Sequence, residues 1–142
     1  MLVVDEAAKR RNHSNDARAF MWAALLHDIG KPATTKTRKG KITSYDHDKV
    51  GARLARDFLS LFTGDHPFID RVCSLILFHM HILYVVRDLP YGDAKAMKAQ
   101  GDIGEIALLG LCDRLGRLGM DRAAEEKNID LFLKKSGQAN EI

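Results

Sequence analysis

The stretch Ala23-Ala24-Leu25-Leu26-His27-Asp28-Ile29-Gly30-Lys31-Pro32 decides how the rest of the chain is read. An apolar helical run ends in a histidine beside a carboxylate, and a glycine, a lysine and a proline follow almost at once. Neighbouring side chains in mid-helix point about 100° apart and seldom serve one site. At a last turn the backbone is already leaving the cylinder, so His27 and Asp28 can converge on one cation, with Lys31 close behind. Gly30 reads as the helix stop, and Pro32 forbids continuation. The plain alternative, a core histidine, needs a partner for the ring and another for a partly buried Asp28.

Upstream, residues 2–11 read as a helix whose narrow apolar face is Val3, Val4, Ala7 and Ala8. A polar turn over 12–16 supplies Asn15 or Asp16 as cap for the helix that runs to about Asp28. Its inward side is Phe20, Ala23, Ala24 and His27. Downstream, residues 31–45 carry Lys31, Lys36, Arg38, Lys39 and Lys41 and no acid. They read as a surface loop, or more sharply as a basic flap over an anionic substrate.

Residues 46–62 form an amphipathic pattern with Val50, Leu54, Phe58 and Leu61 at helical spacing. His47, in its first turn, is either a ligand or substrate contact or an exposed helix-start histidine; Asp48 complements the helix dipole. The helix over 68–79 aligns Phe68, Val72, Leu75, Ile76 and His79, which turns His79 inward, where an imidazole needs a hydrogen-bond partner or a metal. His81 points to another side and is assigned, with His13 and His66, to the surface. Residues 82–86 read as an apolar connection packed on the core, and 93–100 as a short helix.

The helix over 102–118 places Ile106, Leu109 and Asp113 on one stripe. Burying an unpaired carboxylate costs several kcal/mol or shifts its pKa until it neutralises. A cation among His27, Asp28 and Asp113 removes that penalty; the alternative is an ion pair with Arg114 or Arg117. Gly110 and Gly116 read as keeping the surroundings open. A final helix over 120–135 carries Ile129, Phe132 and Leu133, and 136–142 reads as a frayed tail. The expected architecture is all-α, a compact bundle of about six helices in one domain over residues 1–135.

Bulk properties agree with this class. The 142 residues are 46% hydrophobic and 29% charged with three prolines, which excludes disorder and collagen-like repeats. A net charge of +3 permits phosphorylated ligands without arguing for a nucleic-acid-coating protein. Cys73 and Cys112 show no paired spacing, so they read as buried apolar residues of a reducing compartment. No apolar run approaches a membrane span and no leader precedes Asp5-Glu6, so the expected location is cytoplasmic.

Leu26-His27-Asp28-Ile29-Gly30-Lys31-Pro32 resembles the signature of the HD superfamily of metal-dependent phosphohydrolases, in its HDIG form. The extension Pro32-Ala33-Thr34-Thr35 is most similar to the HD domain attached to bacterial CCA-adding tRNA nucleotidyltransferases. Cys112-Asp113-Arg114-Leu115-Gly116-Arg117 resembles the run around the last metal-ligating aspartate of those domains. Asp46-His47-Asp48 keeps the histidine of their usual Gly-His-Glu and departs on both sides, and His79 matches a further histidine after an apolar helix.

The resemblance implies a mixed nitrogen–oxygen centre with His27, Asp28 and Asp113 as principal ligands. His47 and His79 either complete a second metal position or bind the phosphate and protonate the leaving oxygen. Lys31 neutralises charge on phosphate oxygens. Such donors suit manganese, nickel, cobalt, iron or zinc, with magnesium as a further option, better than calcium. The pKa of metal-bound water falls from about 16 towards about 7. The implied activity is hydrolysis of a nucleotide-like phosphomonoester or cyclic phosphodiester, with tRNA as a further possible partner. The competing expectations are a non-catalytic RNA- or nucleotide-binding module and a regulatory domain without turnover.

One departure bears on activity. The family's first ligand is a histidine roughly two dozen residues before the pair. Here that register falls at or before Met1, where Leu2, Val3 and Val4 stand. The expectation is a chain lacking its native beginning, the other possibility being a lost ligand. Neither Gly-Ser nor an Asp-x-Asp pair in strand context is present, so nucleotide addition is not expected of this chain.

Overall fold

The computed structural model describes residues 2–137. Aspartates set most of the helix starts. The carboxylates of Asp16, Asp65, Asp93, Asp102 and Asp121 each accept a main-chain N–H of the first turn they precede, satisfying donors the helix itself cannot. They open α2 (Ala17–Leu26), α5 (His66–Phe78), α7 (Ala94–Gln100), α8 (Ile103–Leu115) and α9 (Arg122–Lys135). Ahead of them lies α1 (Leu2–Arg10), with a short 3-10 turn over Arg11–His13. Between α2 and α5 come α3 (Lys31–Thr34), strands β1 (Thr35–Arg38) and β2 (Lys41–Ser44), and α4 (His47–Ser60); α6 (His81–Val86) follows α5.

The architecture is helical, as expected. Its long members are α1, α2, α4, α5, α8 and α9, with α5 flanked by α2 and α4, and α8 flanked by α1 and α9. Phe20, Val72, Ile76, Ile106, Leu109 and Phe132 fill the space between them and are completely buried. Cys73 and Cys112 are buried free thiols within this interior. No helix among the described residues is long and apolar enough to cross a membrane.

Several expectations need correction. Residues 35–44 are not an irregular loop but an antiparallel hairpin pairing Thr35 with Ser44 and Arg38 with Lys41. The two-residue turn is Lys39-Gly40, both at positive φ (49° and 77°), the geometry whose twist suits a tight hairpin. Residues 82–86 belong to a helix, α6, because a single apolar segment satisfies its main chain most simply by coiling on itself.

The buried side of α4 is also not the stripe of large apolar residues. His47, Asp48, Gly51, Ala55 and Leu59 face inward, while Phe58 is partly exposed and Leu61 is 80% exposed. Small residues win the inner face because α4 crosses the turn after α2 closely. A Cβ on Gly30 would collide with the His47 carbonyl and lie 2.6 Å from the Gly51 nitrogen. Gly30 itself has an ordinary helical φ of −78°, so close approach, not a left-handed stop, is what requires glycine there. Gly110 and Gly116 likewise do not leave open space: their vacant Cβ positions are filled by Ile82 and Val3.

At the other end, Ser136 and Gly137 close α9 through bonds to the Phe132 and Lys134 carbonyls. The remainder of the expected frayed tail, 138–142, lies outside the described residues.

Candidate metal centre

The first two turns after α2 and the starts or ends of three other helices deliver the polar groups to one place. His27 caps the C-terminus of α2 and Asp28 follows in the turn; His47 begins α4, His79 ends α5, and Asp113 lies in the last turn of α8. Helix ends suit this task because a side chain there leaves the packed stripe yet stays anchored by it. His27, His47, His79 and Asp113 are buried, and the Asp28 side chain is 40% exposed.

The three imidazoles are oriented in the same way. Nδ1 of His27 donates to the Ala24 carbonyl (2.7 Å), Nδ1 of His47 to the Ser44 carbonyl (2.9 Å), and Nδ1 of His79 to the Ile76 carbonyl (2.6 Å). A carbonyl only accepts, so each Nδ1 carries the hydrogen and each neutral ring presents a lone pair at Nε2. The Nε2 atoms of His47 and His79 turn to one oxygen of Asp28 and that of His27 to the other. Those of His47 and His79 stand 3.1 Å apart, a contact that is repulsive between two lone pairs unless a proton or cation lies beside them.

Asp28 lies between two groups of donors. One carboxylate oxygen is 3.7 Å from His47 Nε2 and 3.6 Å from His79 Nε2; the other is 3.1 Å from His27 Nε2 and 3.4 Å from Lys31 Nζ. Asp113 Oδ1 approaches His27 Nε2 to 3.4 Å, and Arg117 stands 3.9 Å from its other oxygen. Arg114, the other candidate partner, is taken up by Glu125 at 3.1 Å.

These separations test whether a metal fits. Donors about 2.1 Å from one tetrahedral ion are about 3.4 Å from each other. The donor atoms of Asp28, His47 and His79 all lie within 4.8 Å of one another. His27 Nε2 adjoins this group, 3.1 Å from Asp28 and 3.4 Å from Asp113. The His27 Nε2 atom is buried and has no partner in hydrogen-bond geometry. An orphaned imidazole nitrogen between two carboxylates is what a cation site leaves behind when only its protein atoms are considered. The nitrogen–oxygen donor set fits a divalent transition metal.

The charges reinforce one another. Burial disfavours the charged form of His27, but the adjoining carboxylates of Asp113 and Asp28 outweigh it and raise the imidazole to about 10. Burial would raise both carboxyls; the imidazoles around Asp28 with Lys31, and His27 with Arg117 beside Asp113, instead hold them below the usual carboxylate range. His47 is pushed down, first by burial and then by the neighbouring His79.

His27, Asp28, Lys31, His47, His79 and Asp113 thus lie in one neighbourhood. The three whose donor atoms are mutually within ligand reach are Asp28, His47 and His79, not the principal trio His27, Asp28 and Asp113 expected from sequence. The structure leaves His13 and His66 exposed. His81, expected at the surface, is only 4% exposed. Its ring packs edge-on against Phe78 (5.0 Å) and accepts the Asp93 N–H at 3.0 Å. The reason is the break after α5: α6 restarts the helical phase at His81, which turns away from His79 but under the segment 88–93 rather than into solvent. Asp48, read as a dipole partner, is likewise 8% exposed and lines the adjoining cleft.

That cleft, about 990 Å³, opens beside His47 and Lys31 and is walled by Asp48, His81, Tyr84 and Tyr91. At the far side of the centre, α1 starts against the C-terminal end of α8, where Val3 touches Gly116, one turn beyond Asp113. Among the described residues, no histidine stands at that end of α1.

Comparison with known proteins places this geometry. The sequence profile of the HD domain family matches residues 2–117. The chain is 32% identical over 111 residues to the CC-adding tRNA nucleotidyltransferase of Thermus thermophilus, covering 73% of this chain and 24% of that protein. It is 34% identical over 79 residues to the A-adding tRNA nucleotidyltransferase of Deinococcus radiodurans, covering 54% of this chain and 17% of that one. The multifunctional CCA protein of Actinobacillus pleuropneumoniae is 27% identical over 81 residues, covering 57% of this chain and 19% of that protein. The chain therefore spans about a quarter or less of the length of these relatives. It belongs to the HD domain family.

Proposed function

We propose that this HD domain is a metal-dependent phosphohydrolase that cleaves phosphomonoester or cyclic phosphodiester bonds of nucleotide-like substrates. The observation that carries the reading is the shared tautomer. Three histidines spend their Nδ1 hydrogens on main-chain carbonyls and turn their Nε2 atoms onto the carboxylates of Asp28 and Asp113. A purely structural cluster would give the Nε2 atoms of His47 and His79 donors rather than each other at 3.1 Å.

His27, Asp28 and Asp113 form one set of donors and His47, His79 and Asp28 the other, with Asp28 belonging to both. A divalent metal held by these residues would supply Lewis acidity and bring the pKa of a water down towards neutrality. The chain's own groups do the rest. Lys31, 42% exposed at the mouth and 3.4 Å from Asp28, offers an ammonium to the phosphate oxygens. Where His47 is left free of metal, its Nε2 lies beside both the centre and the cleft, placed to hold a proton near the leaving oxygen instead. The main-chain carbonyls of Ala24, Ser44 and Ile76 fix ring orientation and remove the reorganisation that loose imidazoles would require.

A second reading, a nucleotide- or RNA-binding domain without turnover, is favoured by one observation: a cleft of about 990 Å³ opens beside the centre and is lined by Lys31, Tyr45, Tyr84 and Tyr91. The two are separated by assaying purified chain for bound metal and for hydrolysis of an aryl phosphodiester with manganese or nickel. Hydrolysis that disappears in Asp28→Ala supports the enzyme. Protein that takes up no metal, yet binds nucleotide, supports the second reading.

A further inference from the structure

The hairpin between Asp28 and His47 carries a feature that the metal centre does not explain. In an antiparallel pair, directly opposed residues share a face, and that face recurs every second residue. The register Lys36↔Thr43 and Arg38↔Lys41 therefore puts Lys36, Arg38, Lys41 and Thr43 on one side of the sheet. The next residue of that set, Tyr45, is on the same side, because the Arg38 guanidinium lies 5.3 Å above its ring.

Arg38 and Lys41 are like charges placed directly opposite each other, an arrangement that destabilises a strand pair. Among the described residues Lys36, Arg38 and Lys41 form no ion pair, and all are exposed. The face is not isolated. Thr43 and Tyr45 line the cleft that contains His47, and Tyr84 and Tyr91, whose rings are 5.7 Å apart, stand in its wall. Cations that track a backbone, interleaved with exposed aromatic rings that accept bases by stacking, are the physical requirements for holding a single nucleic-acid strand.

We propose that the Lys36–Arg38–Lys41–Tyr45 face and the adjoining cleft form a track for a single-stranded nucleic acid whose end is delivered to the metal centre. The substrate class is then a terminal phosphoester of an oligonucleotide in preference to a free mononucleotide. This deepens the phosphohydrolase reading and rests on it for the chemistry at the terminus, but strand binding by the track does not require metal.

The test is fluorescence anisotropy of labelled single-stranded RNA and DNA hexanucleotides with the full chain, in EDTA and with manganese, alongside hydrolysis of mononucleotide and oligonucleotide esters. The expected result is binding in EDTA whose log K falls with log salt at a slope of about −2 to −3, the value for three or four neutralised phosphates at about 0.7 each. K36Q/R38Q/K41Q is expected to flatten that slope by about 2 units. Tyr45→Ala should weaken binding by about fivefold or more while Tyr45→Phe does not, since stacking needs only the ring.

RNA binding with DNA excluded, or both bound alike, each supports the track and identifies its strand. Equal displacement by polyglutamate, an unchanged salt slope in the triple variant, or hexanucleotide binding no tighter than mononucleotide overturns it. Strand binding without hydrolysis of any ester supports the track while removing the enzymatic reading, so the two failures are distinguishable.

Discussion

Asp28 is the residue on which the centre turns, because it is the one carboxylate near all three imidazoles and the ammonium of Lys31. Asp28→Ala is expected to lower metal affinity and aryl phosphodiesterase activity by at least about 100-fold, since the loss disrupts both donor sets at once. Calorimetric titration of manganese and steady-state rates check it. Removing Lys31, by contrast, touches no histidine: Lys31→Met should preserve metal uptake and lower kcat alone.

His27 gives a prediction with a definite sign. In the metal-free chain its imidazole is raised from 6.5 to about 10 by Asp113 and Asp28 working against burial. Between those values the folded state keeps a proton that the unfolded chain has released. This contribution to stability is therefore complete below about 6.5 and is lost as the pH rises through about 10. Asp28 and Asp113, held below their ordinary range, contribute in the opposite direction, and their stabilisation is lost as the pH falls through the acidic region. A metal needs His27 Nε2 bare and displaces its proton. The stabilisation by added metal should thus be larger at about pH 8.5 than at about pH 6. Thermal melts with manganese and with EDTA at both pH values read the difference.

At the scale of elements, the centre is held by how closely the turn after α2 meets α4. Gly30→Ala places a methyl group against the His47 carbonyl and Gly51, so it should cost about 1–3 kcal/mol in urea unfolding and weaken metal binding by moving His47. The second element-scale device is the half-buried pair Arg114–Glu125, which fastens α9 to α8 at 3.1 Å. Arg114→Met leaves the Glu125 carboxylate buried without its partner. It should cost up to about 3–5 kcal/mol, with no change in metal affinity for the fraction that remains folded.

These same elements show what the sequence could reveal. The stripe Phe68–Val72–Leu75–Ile76–His79 predicted the inward face of α5 because its large residues are the ones that fill the core. In α4 the same logic failed: two glycine main chains meet there, and contact distance rather than hydrophobicity selects the inner residues. His27, Asp28 and Asp113 were legible because each broke an apolar helical pattern at a helix end. His81 was not, since its burial depends on tertiary partners, Asp93 and the neighbouring Gly92, that no local period encodes, and nothing in the sequence marked Asp48 as buried. The hairpin was hidden by composition, its threonines and lysines being as common in loops as in strands.

For the whole molecule, metal and fold should be linked, because five donors from α2, the following turn, α4, α5 and α8 can converge only in the folded chain. A ligand at 100 times its dissociation constant adds about 2.7 kcal/mol, which for a domain of this size raises Tm by roughly 10 °C. EDTA should reverse that shift fully in the wild-type chain and have no effect on Asp28→Ala. The relatives carry comparable segments within proteins four or more times as long, so this domain is a unit that larger tRNA-handling proteins also contain. In the proposed track, the basic hairpin and cleft would extend its working surface from a single ester to a strand.

The most direct test is anomalous diffraction at the manganese edge from crystals of the full chain grown with manganese. An anomalous peak about 2.0–2.2 Å from His47 Nε2, His79 Nε2 and the nearer Asp28 oxygen, or from His27 Nε2, Asp28 and Asp113, is the predicted result. A well-ordered structure with no such peak, in which the imidazole nitrogens bond to water or to each other through a shared proton, would contradict the account.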